Sequence, residues 1–511
     1  MNSKRYTFKI CIQMKTASYR KRLDLCMLVL FPFLMFGCSA LDQKRHQKPN
    51  LLIIHTDEHN FRTLGCYREL LSEEQAFVWG EGLNVETPNI DWLAHNGVLF
   101  TKCYASTPVC SPSRGSFVTG MYPQHTGVTK NDFPMYDEMI TFAEILQSKG
   151  YHTGYLGKWH LDGEGKPQWE PERKFGFEDN RYMYNRGHWK KLEDTLDRPR
   201  VASINEDGTP NYNLDGADEQ SFTTDFFIDR TIGLISENKD DPFCFMVSIP
   251  DPHGPDRVRS PYDEMYKGLP FTAPKTYHKP DEGVPSWASK QKNAGINQAQ
   301  YFGMVKCIDD NVGKLIDYLR NEGLLQNTII VFTSDHGDLR AEHHRHNKGI
   351  PLEASAKIPF IIYFPQKVMN WTVIENAIST VDFAPTILGL MGINHRVRMQ
   401  GVDFSNLVKH PDRQEKSRDI TFVRSTGTGS DGKWIGAFTS RYKLIVSKND
   451  DPWLLDLEID PDELTNFISE SGYSSVVEEL ATDLKKYANK FDDPFLLNTK
   501  MADDLNALLS K

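Results

Sequence analysis

The sequence predicts an α/β protein, a doubly wound, mostly parallel sheet flanked by helices, followed by a smaller C-terminal α+β subdomain. Short apolar runs end abruptly in clusters of polar residues, and stretches of helical periodicity lie between them. Near residue 400 the texture changes to two-residue alternation.

The first run, Leu51-Leu52-Ile53-Ile54, passes into His55-Thr56-Asp57-Glu58. Tyr151 to Leu156 leads into Gly157-Lys158-Trp159-His160, and Phe243 to Ile249 into Pro250-Asp251-Pro252-His253. Ile329-Ile330-Val331-Phe332 leads into Thr333-Ser334-Asp335-His336-Gly337. Unbroken apolar runs suit strands covered on both faces, as in a parallel sheet. Gln298 to Asn321 carries Phe302, Val305, Ile308, Val312, Leu315, Ile316 and Leu319 at helical spacing. Doubly wound sheets bind ligands beyond the carboxyl ends of their strands, where all four polar clusters fall. After Thr380 to Thr386 and its helix comes a polar stretch, Asn406 to Asp419, and then alternating segments at Trp434 to Phe438, Tyr442 to Val446 and Trp453 to Leu457. The expected organisation is a main domain over 48–405 and an α+β subdomain over 415–511, closed by a terminal helix.

The 511 residues are 39% hydrophobic and 25% charged, a globular composition that excludes a disordered chain or a multi-span membrane protein. The net charge of -10 argues against a general nucleic-acid binder, so no nucleic-acid partner is expected, while a local anion pocket stays open. At the N-terminus, Lys15, Arg20, Lys21 and Arg22 precede an apolar run from Leu25 to Phe36 that stops at Gly37-Cys38-Ser39. That order is expected of an export signal over 1–37, whose apolar run is too short for an ordinary spanning helix. It resembles a bacterial lipoprotein signal with Cys38 lipidated; simple cleavage to a free periplasmic protein is the alternative. Either way the protein is expected outside the cytoplasm, in the periplasm or on the outer membrane, touching a membrane only through that anchor.

Cys66, Cys103, Cys110, Cys244 and Cys307 follow Cys38, an odd number without a CxxC pair, which disfavours a zinc site or a disulfide framework. Cys110 stands apart by context, Cys110-Ser111-Pro112-Ser113-Arg114-Gly115-Ser116-Phe117-Val118-Thr119-Gly120. Pro112 suits the first turn of a helix, which sets residue 110 near a helix N-terminus that favours an anion.

This string resembles the C-x-P-x-R and T-G signature of the formylglycine-dependent type I sulfatases of the alkaline phosphatase superfamily, and the chain as a whole resembles bacterial exported carbohydrate sulfatases. Thr87-Pro88-Asn89-Ile90-Asp91, Lys348-Gly349, Arg441-Tyr442-Lys443-Leu444 and Leu455-Asp456-Leu457 join the strand-end clusters in the family's order. The resemblance implies an alkaline-phosphatase-like fold and a sulfuric ester hydrolase whose Cys110 is oxidised to formylglycine (3-oxoalanine) by a formylglycine-generating or anaerobic sulfatase-maturating enzyme. It implies metal ligands at Asp57, Glu58, Asp335 and His336, for Ca2+ first and Mg2+ as the alternative, and clustered carboxylates suit such a hard divalent cation. Glu58 stands where the family has Asp or Gln and His336 where many members have Asn, so Glu58 is read either as a ligand or as a carboxylate behind the ligands. The implied mechanism is attack on sulfur by the formylglycine hydrate, with His253, joined by Lys348, as acid towards the leaving alcohol and His160 accepting the last proton. Arg114, Lys158 and Lys348 are expected to neutralise the sulfate.

The insert from Lys166 to Thr224 holds Tyr184-Asn185-Arg186-Gly187-His188-Trp189, either a sugar pocket in which Arg186, His188 and Trp189 bind substrate or an exposed loop anchored by a buried Trp189. His125 is expected to pack against a helix. The expected substrate is a sulfated hexose, galactose or N-acetylgalactosamine, attacked from a chain end. Rival readings are a phosphodiesterase or phosphonate monoester hydrolase, an arylsulfatase without sugar preference, and a catalytically inactive glycan-binding lipoprotein.

Overall fold

Leu51, Leu52, Ile53 and Ile54 are all fully buried, although neighbouring side chains on a strand point to opposite faces, so both faces of this strand are covered. The computed structural model describes residues 48–195, 198–280, 282–291, 298–368, 370–429 and 431–510; the export segment and Cys38 lie outside the described residues. The main sheet contains β1 (Asn50–Asp57), β2 (Val98–Phe100), β3 (His152–Lys158), β4 (Met183–Tyr184), β5 (Phe243–Pro252), β6 (Thr328–Ser334), β7 (Phe360–Tyr363) and β8 (Thr372–Ile374). Their order is β8-β2-β7-β6-β1-β5-β3-β4. β1 pairs in parallel with β5 and β6, and β3 in parallel with β5 and β4, whereas β7 runs antiparallel to β6 and β2. The four apolar runs of the sequence are the adjacent strands β6, β1, β5 and β3. The strands β2, β4, β7 and β8 span two to four residues each, too few for a periodicity to show.

The flanking helices are α1 (Pro88–His95), α2 (Cys110–Thr119), α3 (Phe142–Ser148), α4 (Thr223–Asn238), α5 (Gln298–Asn321) and α6 (Phe383–Leu390). One face of the sheet, with Leu51, Ile53, Met246, Ile329 and Val331, packs on Phe117 of α2, Leu146 of α3 and Ile387 of α6. The other, with Leu52, Ile54, Phe245, Val247, Ile330 and Phe332, packs on Leu93 of α1, Phe227 of α4 and Val312 of α5. Each such aliphatic or phenyl side chain contributes about 1.5–3 kcal/mol on burial. That two-sided layer holds the strand ends in place.

The C-terminal sheet is an antiparallel meander of β9 (Thr421–Arg424), β10 (Trp434–Phe438), β11 (Tyr442–Ser447) and β12 (Trp453–Asp456). Ile435, Leu444, Val446 and Leu454 pack under α7 (Ser474–Phe491) and α8 (Lys500–Leu508), meeting Leu480, Leu484, Met501 and Leu505. Trp434, Phe438, Ile445 and Leu455 face the main body at Tyr104, Ile350, Leu352 and Ala354. The polar stretch expected as a boundary carries two short helical turns, Ser405–Lys409 and Pro411–Lys416. Among the described residues no helix is long and apolar enough to cross a membrane.

Candidate active site

Parallel register brings the polar clusters together. Thr56 pairs with Ser334, Asp57 with Pro252, and Gly157 with Ser248. Residue 157 must be glycine: its φ is 94°, and a Cβ there would lie 2.0 Å from the Ser248 carbonyl oxygen. Beyond the strand ends, Glu58 (φ 62°) and His160 (φ 61°) adopt left-handed backbone that costs non-glycine residues energy, strain of the kind held at functional sites.

Cys110 opens α2, a helix buried along its whole length, and Ser111 N–H donates to Asn131 Oδ1 at 3.0 Å. The Cys110 Sγ lies 3.2 Å from His336 Nε2 and 3.9 Å from Asp57 Oδ1. Burial pushes the thiol up, but the Lys158 and Lys348 charges outweigh it and hold Cys110 well below the usual thiol range. Position 110 therefore sits in a positive potential, to which the start of α2 adds its dipole.

Arg114 was expected to face the sulfate. Its guanidinium is instead occupied: Nε donates to Asp335 Oδ2 (2.9 Å), one terminal nitrogen to the Lys158 carbonyl (2.8 Å) and Ser248 Oγ (2.7 Å), the other to Asp57 Oδ2 (3.2 Å). Arg114 thus acts as a clamp that sets the two aspartates. Lys158 Nζ reaches Asp57 Oδ2 at 2.5 Å and His188 Nε2 at 2.8 Å. Lys348 Nζ lies 3.1 Å from Glu58 Oε2 and 2.7 Å from His253 Nε2, and His253 Nε2 is 2.9 Å from the same carboxylate oxygen. His253 and His188 stack, with centroids 3.5 Å apart and planes 7° from parallel.

His253 Nδ1 lies 2.9 Å from the Gly254 carbonyl, which can only accept, so Nδ1 carries a proton and Nε2 faces the site. The strand end bearing it is pinned by Lys190, buried with its Nζ 2.5 Å from Asp251 Oδ1 and 3.1 Å from the His253 carbonyl. Burial disfavours the charged ring of His336, but the Asp335 carboxylate outweighs this and raises it to about 9. Burial lowers His160, against a hydrogen bond with Cys110, and His160 Nε2 lies 3.4 Å from Asp132 Oδ1.

Arg186 pairs with the same Asp132 at 2.9 Å, and His188 stands within the charge cluster. Trp189 is buried at 2% exposure, its ring against Tyr212, which leaves no open face for a sugar; it anchors its loop. His125 Nε2 donates to the Phe491 carbonyl at 2.7 Å, beside the C-terminal helix. Asp132, Asn131, Ser248 and Lys190 were not singled out in the sequence. Asp251 lay in plain view before His253, but nothing local says which lysine would reach it.

One atom each of Asp57, Cys110, Asp335 and His336 lie within 4.8 Å of one another, as do atoms of Asp57, His188 and His253. Glu58 stands beside the first set: its backbone N–H donates to Asp335 Oδ1 at 3.1 Å, and its Oε1 is buried with no hydrogen-bond partner. Burial and the nearby Asp57 raise Asp335, the sign of two carboxylates crowded together. An orphaned carboxylate oxygen next to crowded aspartates fits a hard divalent cation.

A family model described as sulfatase matches residues 49–393, and one described as N-sulphoglucosamine sulphohydrolase, C-terminal, matches residues 341–490. The chain is 28% identical over 504 residues to an ulvan-active sulfatase of Formosa agariphila, covering 95% of this chain and 90% of that protein. It is 25% identical over 544 residues to an N-acetylglucosamine-6-O-sulfatase of Bacteroides thetaiotaomicron, covering 91% of each. The crystal structure of yidJ from Bacteroides fragilis, a sulfatase by name, superposes with a TM-score of 0.71 at 28% identity, covering 88% of this chain and 97% of that one. The chain therefore belongs to the sulfatase family, as a type I sulfatase of the alkaline phosphatase superfamily and a sulfuric ester hydrolase.

Proposed function

We propose that this protein is an exported carbohydrate sulfatase that removes sulfate from a terminal hexose of galactose or N-acetylgalactosamine type. The observation that carries the reading is the placement of Cys110 at the start of α2 between Lys158 and Lys348, a pocket made for an anion. Relatives named for ulvan and for N-acetylglucosamine 6-sulfate support a glycan as substrate. The order of residues 15–39 supports export to the periplasm or to the outer membrane as a lipoprotein, with a maturating enzyme acting on Cys110. The catalytic domain is taken as 48–405 and the C-terminal subdomain as 415–511.

Formylglycine at position 110 supplies an aldehyde whose hydrate is the nucleophile towards sulfur. A divalent cation, calcium in this reading, supplies positive charge beside the sulfate oxygens and would be held by Asp57, Glu58, Asp335 and His336. Lys158 and Lys348 neutralise the anionic group where it meets residue 110, and Arg114 fixes Asp57 and Asp335 for that task. Lys348, whose ammonium lies 2.7 Å from His253 Nε2, supplies the proton that His253 passes from Nε2 to the departing alcohol, and His188 stacks behind to fix the ring. His160, backed by Asp132, receives the proton released at residue 110. In this reading Arg186, paired with Asp132, and His188, stacked on His253, take the sugar's hydroxyls.

Sulfate release from a panel of defined sulfated mono- and disaccharides tests the reading. Release from galactose or N-acetylgalactosamine sulfates is expected; release from another hexose alone overturns the sugar assignment, and release from aryl sulfates alone overturns the glycan reading.

A further inference from the structure

Where the C-terminal sheet meets the main body, a cleft of about 590 Å³ opens beside the catalytic cluster. Trp287, Arg345 and Lys348 line it from the body; Lys433, Trp434 and Lys448 line it from the C-terminal sheet. Lys348 belongs to both places, since it lines the cleft and its ammonium meets His253 and Glu58. Its size suits a sugar ring.

The lining is strongly cationic, with Arg345, Lys348, Lys433 and Lys448 against the single acid Asp431 among the described lining residues. Asp431 already accepts the Thr428 and Gly429 amides through Oδ1. The Lys433 ammonium makes no ion pair among the described residues, and two buried donors on the walls, Arg345 Nε and Trp287 Nε1, find no acceptor there. Buried donors without acceptors are costly and mark a place meant for one. The neighbouring Trp434 Nε1, by contrast, is satisfied by the Gly349 carbonyl at 3.2 Å.

Resting on the glycan reading above, we propose that this cleft binds a second anionic group, a carboxylate or a sulfate, on the sugar adjoining the one that is desulfated. The substrate is then a polyanionic saccharide, and Arg345 and Lys433 select it.

The test compares one sulfated hexose joined to glucose, to glucuronate, or to a second sulfated hexose. Wild-type enzyme should show a KM about fivefold lower for the anionic disaccharides, the scale of one partly exposed charge pair. Lys433→Ala should raise those KM values about fivefold with kcat unchanged, shift the neutral disaccharide less, and be rescued by Lys433→Arg. Arg345→Lys, checked for an unchanged melting temperature, should keep more of the preference than Arg345→Ala. A response to glucuronate alone or to sulfate alone identifies the anion. Equal KM shifts on neutral and anionic disaccharides, or no wild-type preference, overturn the proposal. If no saccharide loses sulfate the glycan reading fails separately, and calorimetric binding of the glucuronate disaccharide, the same in wild type and Lys433→Ala, would overturn the cleft as well.

Discussion

Asp57, Glu58 and Asp335 sit among Arg114, Lys158 and Lys348 at the carboxyl end of the main sheet, whereas Glu353 and Glu463 sit among Lys102, Lys357 and Lys443 where the C-terminal sheet meets the body. Both clusters are buried, and they differ in what they leave over. Around Glu353, Oε1 receives Tyr104 and Lys443 at 2.9 and 2.8 Å, and Oε2 receives Lys102 and Lys357 at 3.2 and 2.8 Å. Glu463 takes Lys443 on Oε1 and the Glu353 amide on Oε2. Every carboxylate oxygen is satisfied, and the cluster ties β11 to the body. At the strand ends Glu58 Oε1 is orphaned, two aspartates crowd together, and a thiol is held low between two ammonium groups. Closure makes a buried charge cluster structural; unmatched atoms make it receptive to a cation and an anion together.

The widest separation between the clusters should come from metal removal. Exhaustive chelation is expected to abolish sulfate release and lower the melting temperature, because crowded carboxylates lose their compensation, with recovery on adding calcium. Activity and melting temperature that both ignore chelation would count against the metal ligands named here.

A narrower effect is expected at His253. His253→Ala should slow turnover of a sugar sulfate about a hundredfold to ten-thousandfold, and that of an activated aryl sulfate much less, because an aryl oxide leaves without a proton. Equal losses at saturation on both substrates would remove His253 from the acid's role.

The closed cluster should respond in the opposite sense. Lys443→Met leaves Glu353 and Glu463 short of a partner and is expected to destabilise by about 3–5 kcal/mol, with activity per folded molecule retained. A variant that melts normally but is inactive would contradict the division between the clusters.

The smallest effect is a pH slope. Three lysines face two carboxylates in that cluster, and burial, with Lys102 adding to it against Glu353, lowers Lys357 to about 7. Above that pH the folded protein releases a proton that the unfolded chain keeps to about 10.4, so stability should rise with pH by roughly 1 kcal/mol per unit between 7 and 9. Denaturant unfolding should show this rise in wild type and a flatter profile in Lys357→Met.

The four central strands were legible because β1, β3, β5 and β6 are covered on both faces and read as unbroken apolar runs, with the chemistry at their ends. The short strands β2, β4, β7 and β8 were not legible, since their existence depends on neighbours that pair with them. Within the site the residue types and order were visible from Asp57 to Lys348, but two features needed the fold. Arg114 has the chemistry of a sulfate ligand, and only the convergence of Asp57, Asp335, Ser248 and the Lys158 carbonyl turns it inward. Trp189 reads equally as platform or anchor, and its burial against Tyr212 decides for the anchor. The cleft at Trp287 and Lys433 was invisible because its walls lie far apart in the chain.

Peptide mass analysis of active protein, together with a matched variant, tests whether position 110 does chemistry that no thiol can do. Residue 110 of the active enzyme is expected to have lost its sulfur to an aldehyde, and Cys110→Ala to melt like wild type yet release no sulfate. An unmodified Cys110 in fully active protein, or full turnover by Cys110→Ala, would contradict it.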